Sequence, residues 1–176
     1  MKMIKKILGS IIMLFVLLGI VFYAGPRVEV DTTLQPINLP QDLEGYLRES
    51  EAKFSDIVPG TEKTIIWASE PGQKTPLSIR YLHGFSATRQ EVAPLSDNLA
   101  AKLGANLYYP RVTGHGRSEA AMAETTVNDW INDSHEALLM AQEVGEKVIV
   151  IGEDVAGTTT HRQIVNEFAL EIKIGN

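Results

Sequence analysis

Three short stretches hold the residues whose types and spacing can do chemistry. In "VIVIGEDVAG", residues 148–157, four β-favouring apolar residues run into Gly152, and Gly157 follows five positions later. That pattern ends a buried strand in a strained turn that presents one side chain, here Asp154, to a reaction. Gly152, Ala156 and Gly157 are small, as close strand–helix packing around such a turn requires. The N–H of Val155, next after the apex, would face a developing oxyanion, and a helix N-terminus behind it favours negative charge. The same residues also fit an Asp that caps a helix beginning near Gly157. In "HGF", His83, Gly84 and Phe85, a turn after a strand can aim the Phe85 N–H into a pocket as a second oxyanion donor, although an ordinary glycine turn has the same composition. In "GHGRS", Gly114 and Gly116 flank His115, and Ser118 follows. Short polar side chains in such turns satisfy the backbone, so this loop reads as shaping a pocket rather than attacking a substrate.

These loops need a scaffold that brings strand ends together. "KTIIWA" reads as a strand, "EPGQKTP" as a turn, and "LSIRYLHG" as a second strand closed by Gly84. Val92, Leu95, Leu99, Ala100 and Leu103 fall on one helical face, and Gly104 ends that helix. "ANLYYP" is a third strand. "TTVNDWINDSHEALLMAQEVG" has a Thr cap, apolar rows through Val127, Trp130, Ile131, Ala137, Leu138 and Ala141, and Gly145 as a stop. "KVIVIG" is a fourth strand, apolar enough to be covered on both faces. Alternating strands and helices predict an α/β fold: a mostly parallel sheet with helices on both faces and its chemistry at the C-terminal strand ends, where all three loops fall.

The 176 residues, net charge of −6 and 44% apolar content suit one globular domain and exclude a mainly disordered chain. The 16 Lys and Arg form no basic stripe, so no nucleic-acid partner is expected. Cysteine is absent, which excludes disulfides, thiolate metal sites and a Cys nucleophile. At the N-terminus Lys2, Lys5 and Lys6 precede an uncharged stretch over residues 7–24. As a helix it would span roughly 27 Å, close to the hydrocarbon thickness of a bilayer. A cleaved signal peptide is the alternative, but Ala24 at −1 would place Phe22 at −3, a poor site. Residues 1–24 are therefore expected to form a single transmembrane anchor in the cytoplasmic membrane. The lysines orient its N-terminus inward and leave the domain extracytoplasmic, or secreted if cleavage does occur. Pro26, Pro36 and Pro40 mark residues 25–41 as a linker. Residues 42–176 then form the domain, opened by an amphipathic helix with Asp42 as its cap.

Taken in this order, the three loops resemble the α/β-hydrolase superfamily, most of all its esterase, monoacylglycerol-lipase and serine-aminopeptidase-like branch. "YLHGFSATRQEVAPLSDNLA" looks like the oxyanion strand and first helix, "YYPRVTGHGRS" like the P-x-x-x-G-H-G-x-S loop, and "VNDWINDSHEAL" like the helix before the nucleophile elbow. The resemblance runs from about Thr61 to Gly157. It implies an N-terminal part of that fold and a carboxylic ester hydrolase acting on small-molecule or lipid esters. A nucleophile would stand at position 154, with oxyanion donors at Phe85 and Val155 and no metal or organic cofactor. The family pattern has Ser at the apex, then an acid and a His later in the chain. Here the apex is Asp154, the sequence stops at Asn176, and His161 follows the elbow too closely to be the base.

Three readings of Asp154 follow. It is itself the nucleophile, as in the dehalogenase and epoxide-hydrolase relatives, although these usually have an aromatic where Val155 stands. Alternatively the chain descends from a serine esterase altered by truncation or frameshift, which also accounts for the missing His and is the favoured reading. In the third the protein is a non-catalytic relative that keeps the pocket for binding.

Overall fold

The computed structural model describes residues 2–25, 31–91 and 93–152, and it divides at Val30 into two compact units. Asp154, Val155, Ala156, Gly157 and His161 lie outside the described residues. In the first unit α1 (Lys2–Ala24) has a mean hydropathy of 2.7 over its most apolar window and no buried residue, and it is long and apolar enough to cross a membrane.

The second unit contains α2 (Leu43–Glu51), β1 (Thr64–Ile66), β2 (Thr75–Leu82), a 3-10 turn (Arg89–Glu91), α3 (Ala93–Leu103), β3 (Asn106–Tyr109), α4 (Glu119–Ala123), α5 (Val127–Val144) and β4 (Gly145–Gly152). Local chemistry sets several of these boundaries. The Asp42 side chain accepts the Gly45 N–H at 2.8 Å at the start of α2. Thr126 and Asp129 form a reciprocal capping box at the start of α5. Gly145 does end α5, but in extended conformation, so the helix passes straight into β4 without a loop.

The sheet order is β1-β3-β2-β4, with β3 and β4 parallel to β2 and β1 antiparallel to β3 at one edge. Side chains alternate along β3. Tyr108 points to a core with Leu47, Ile65, Ala137, Met140 and Val144, while Leu107 and Tyr109 point to a second core with Ile79, Tyr81, Ala100 and Ala105. Helices α2 and α5 therefore cover one face and α3 the other, the layering of a partial α/β-hydrolase fold. Helix α3 is rotated from its expected face. It docks through the small residues Ser96 and Ala100, which bring it close to the sheet, and leaves Leu95 and Leu103 67% and 43% exposed.

The connections run in opposite directions. From β2 the chain passes through α3 to β3 on one side; from β3 it crosses through α5 to β4 on the other. The order therefore reverses between β2 and β4, and a ligand crevice belongs at the C-terminal ends of those two strands. Residues 31–40 form no helix or strand and lie along α5. Asn128 Nδ2 donates to the carbonyls of Asp31 and Thr33, and the Gln35 N–H donates to Asn132 Oδ1 at 2.7 Å.

Candidate active site

Two of the three loops meet at the strand ends through a reciprocal exchange of hydrogen bonds. His83, just after β2, accepts the Val112 N–H of the loop after β3 at Nε2, 3.2 Å away. His115 of that second loop accepts the Ser86 N–H of the first at its own Nε2, also at 3.2 Å. Because a backbone N–H can only donate, both Nε2 atoms are unprotonated. Each Nδ1 then holds the proton and donates it, His83 to the Gly84 carbonyl and His115 to the Thr113 carbonyl. Burial disfavours the charged forms, pushing His83 down to about 4 and His115 below the usual histidine value. Both rings, 4.8 Å apart, are neutral cross-pins at physiological pH, so neither is placed as a general base.

The exchange has a conformational cost at Ser86, whose φ of +63° lies in the left-handed region. That backbone turn aims the Ser86 N–H at His115. It follows Phe85, whose own N–H meets no acceptor among the described residues, as a free oxyanion donor must not. Gly114 and Gly116 supply the positive φ values, +82° and +64°, that fold the second loop around His115. Ser118 turns away from the exchange and caps α4, accepting the Ala121 N–H at 3.3 Å. The third loop enters through register. Leu82 pairs with Gly152, the last described residue of β4, so the HGF turn leaves β2 beside the end of β4, at the point where the sheet order reverses.

Three groups that sequence reasoning did not single out for the site hold these loops. Arg111 grips Glu51 with two parallel hydrogen bonds of 2.9 and 2.8 Å and donates a third to the His115 carbonyl at 3.1 Å. Glu51 lies on α2, 60 residues away, and no local signal joins the two. Asp133 of α5 accepts the Thr113 N–H, and burial raises its carboxyl above the usual range. Trp130, legible only as an apolar helix position, donates to the Thr113 carbonyl and packs edge-on against Phe85 and His115, with centroids 6.0 and 5.7 Å away. Beside this cluster opens a cleft of about 420 Å³, walled by Val58, Phe85, Ser86, His115, Gln90 and Met122.

The sheet order, the two pinned loops and the layered helices define the N-terminal part of an α/β-hydrolase-type fold. Comparison with known proteins agrees. The chain is 29% identical over 98 residues to the thermostable monoacylglycerol lipase of Bacillus sp. (strain H-257), an alignment covering 54% of this chain and 39% of the lipase. Its structure matches, at a TM-score of 0.50 and 27% identity, a chain solved in work on LipS and LipT, two metagenome-derived lipolytic enzymes, over 59% of this chain and 40% of that one. No family model matches. The chain thus spans about two fifths of the length of these relatives and resembles the N-terminal part of the esterase and monoacylglycerol-lipase branch.

Proposed function

We propose that the edge formed by the ends of β2 and β4 is an ester-hydrolase site of the α/β-hydrolase type, taking small-molecule or lipid esters. Position 154 is the nucleophile position of the elbow between Gly152, Ala156 and Gly157. The Phe85 and Val155 N–H groups receive the carbonyl oxygen as it takes up negative charge. The loop around His115 forms the pocket wall. The observation that supports this reading most directly is the Leu82–Gly152 pairing across the reversal of the sheet order, which sets the HGF turn beside Gly152 at the end of β4. Helix α1 serves as the membrane anchor, with Lys2, Lys5 and Lys6 keeping its N-terminus in the cytoplasm and the domain on the other side.

Asp154 places a carboxylate where the relatives' pattern has a hydroxyl, and an anion there opposes the oxyanion the site is shaped to hold. The test is Asp154→Ser in the full chain, with imidazole in solution as the base. The Ser form should hydrolyse p-nitrophenyl butyrate faster than the imidazole background, and an alkyl boronic acid should suppress the gain. A Ser form no faster than the unaltered chain would remove the esterase reading. If in addition the unaltered chain opened haloalkanes or epoxides, Asp154 would itself be the nucleophile.

A further inference from the structure

We propose that a second cleft, enclosed by α2, α5 and the loop after β3, is a binding site for a small organic cation carrying a primary ammonium group. It is separate from the cleft beside Phe85, sharing only Gly114 with it, and it stands independently of the ester-hydrolase reading. Two observations carry it, one from the charge of the inner wall and one from a buried hydroxyl behind that wall.

The cleft encloses about 310 Å³, and its inner wall carries Glu51, Lys63, Arg111, Asp133 and Glu136. Four of these cancel in pairs. Arg111 holds Glu51 through two parallel hydrogen bonds, and Lys63 is ion-paired with Glu136, which also accepts the Tyr46 hydroxyl. The remaining charge is Asp133, which takes part in no ion pair among the described residues. Only Thr113 donates to it, through its backbone N–H at 2.6 Å. Burial raises this carboxyl above its usual range although Lys63 acts to lower it, so the cations already present do not restore what burial removes. Lys53 also borders the cleft, but it is exposed and water screens it. The inner wall is therefore one positive charge short, in a place where an anion without a counter-charge is costly.

The second observation is Tyr108. It projects from β3 towards α2 and α5, packed with Leu47, Ala137 and Met140, and its hydroxyl is fully buried with no hydrogen-bond partner among the described residues. Buried hydroxyls are ordinarily paired. Burial and the carboxyls of Glu136, Asp133 and Glu51 hold this one far above the usual tyrosine range, and all three carboxyls line the cleft, so the hydroxyl is aimed at it from the core. An ammonium brings three N–H donors. The Asp133 carboxylate and the Tyr108 hydroxyl offer acceptors, and so does Ser50 Oγ, which lines the cleft and gives its own proton to the Leu47 carbonyl. A quaternary ammonium would bring the charge without the donors, a neutral alcohol the donors without the charge, and an anion would meet Asp133. No group of three acidic or histidine side chains among the described residues is arranged to hold a metal ion, so the cation that fits is organic.

The test uses ethanolamine as the probe, with the full chain in detergent micelles at mildly alkaline pH and constant ionic strength, where Asp133 is ionised and the amine protonated. Saturation-transfer nuclear magnetic resonance reads binding from the probe itself. Ethanolamine should bind saturably, with a Kd on the order of 1 mM for so few atoms. Ethylene glycol and tetramethylammonium should each bind at least about tenfold more weakly. Asp133→Asn keeps an oxygen for the Thr113 N–H but loses the charge, and should weaken ethanolamine about tenfold or more. Tyr108→Phe should weaken it about threefold. Lys53→Gln, on the rim, removes a repelling charge and should tighten it by up to about twofold. Circular dichroism confirms that each variant is folded.

Absence of saturable binding overturns the proposal, and so does ethanolamine binding that Asp133→Asn leaves unchanged. Ethylene glycol bound as tightly as ethanolamine would assign the cleft to a neutral ligand instead. Should Asp133→Asn fail to fold, unchanged affinity in both Tyr108→Phe and Lys53→Gln overturns the proposal in its place. The readout needs no turnover. An Asp154→Ser chain that binds ethanolamine but hydrolyses no ester would therefore count against the ester-hydrolase reading alone, and one that hydrolyses esters but ignores ethanolamine against this proposal alone.

Discussion

The two edges of the sheet are built by opposite rules. At the edge where the parallel strands begin, small polar side chains close every gap. Asn106, fully buried, donates to the Gln73 and Val144 carbonyls and accepts the Ala68 N–H, all within 2.9 Å, while its own N–H donates to Thr75 Oγ1. Ser78 donates to the Ala141 carbonyl at 2.7 Å, and Gly145 packs against Ser78 with no room for a side chain. At the edge proposed as the ester site the backbone is strained at Ser86, two buried histidines are kept neutral, a phenylalanine stands 59% exposed and a cleft stays open. One edge is satisfied and closed. The other holds its groups away from their lowest-energy local arrangement, which a structure tolerates where the arrangement serves a site.

If that contrast is right, the largest losses of stability come from the closed edge. A Cβ on Gly145 would lie 2.4 Å from Ser78 Cβ and 2.6 Å from the Ser78 backbone nitrogen, and β2 and β4 cannot separate to relieve it without losing their ladder. Gly145→Val should therefore cost about 4 kcal/mol, or prevent folding, as read by urea unfolding. Asn106→Leu keeps the volume but leaves the Ala68 N–H and the Gln73 and Val144 carbonyls without their partner. It should cost about 3 kcal/mol. A loss below about 1 kcal/mol would mean that water satisfies those groups and that the edge is not closed.

The open edge should instead betray itself through pH. His83 has a folded pKa near 4 against an unfolded value of 6.5, so the unfolded chain takes up its proton first. The stability this neutral pin contributes is fully present above pH 6.5 and drains away as pH falls toward 4, by about 2 kcal/mol between pH 7 and pH 5. His115 acts in the same direction, whereas Asp133, with its raised carboxyl, gains stability on acidification and partly offsets both. The comparison that isolates the pin is His83→Gln, whose amide can still accept from Val112 and donate to Gly84 but does not titrate. Its unfolding free energy should fall less steeply between pH 7 and pH 5 than that of the unaltered chain. Equal slopes would show that His83 is not held neutral.

Much of this contrast was legible in the sequence and part was not, for physical reasons. Element order follows from hydrophobic period and caps, so Asp42, Thr126 and the apolar run before Gly152 place α2, α5 and β4 correctly. The three loops were visible because glycine punctuates strand ends. The face of α3 was not, because Ser96 is polar by type yet fully buried by position, while Leu95 is the reverse. Gly145 reads as a helix stop, but its actual constraint is the approach of Ser78, a contact 67 residues away in sequence that no local pattern encodes. A separation of 60 residues likewise hides the Glu51–Arg111 pair.

Ser86 is the finest test of the contrast, because its strain is local and separable from its hydrogen bond. The pin to His115 uses only the Ser86 backbone N–H, so any residue that accepts a φ of +63° can make it. Glycine accepts that conformation freely but also gives the unfolded chain more entropy to lose, so Ser86→Gly should change stability by less than about 1 kcal/mol. Valine is penalised in the left-handed region and gains nothing, so Ser86→Val should cost about 1 kcal/mol or slightly more. The pair therefore separates strain from packing, since the exposed side chain has little contact to lose in either variant. If Val is tolerated as well as Gly, the left-handed turn is not imposed by the cross-pinned loops, and the open edge is no more strained than the closed one. If Val also lowers the fluorescence response of Trp130 to an alkyl boronic acid in an Asp154→Ser background while Gly does not, the turn at Ser86 is what holds the Phe85 N–H in place.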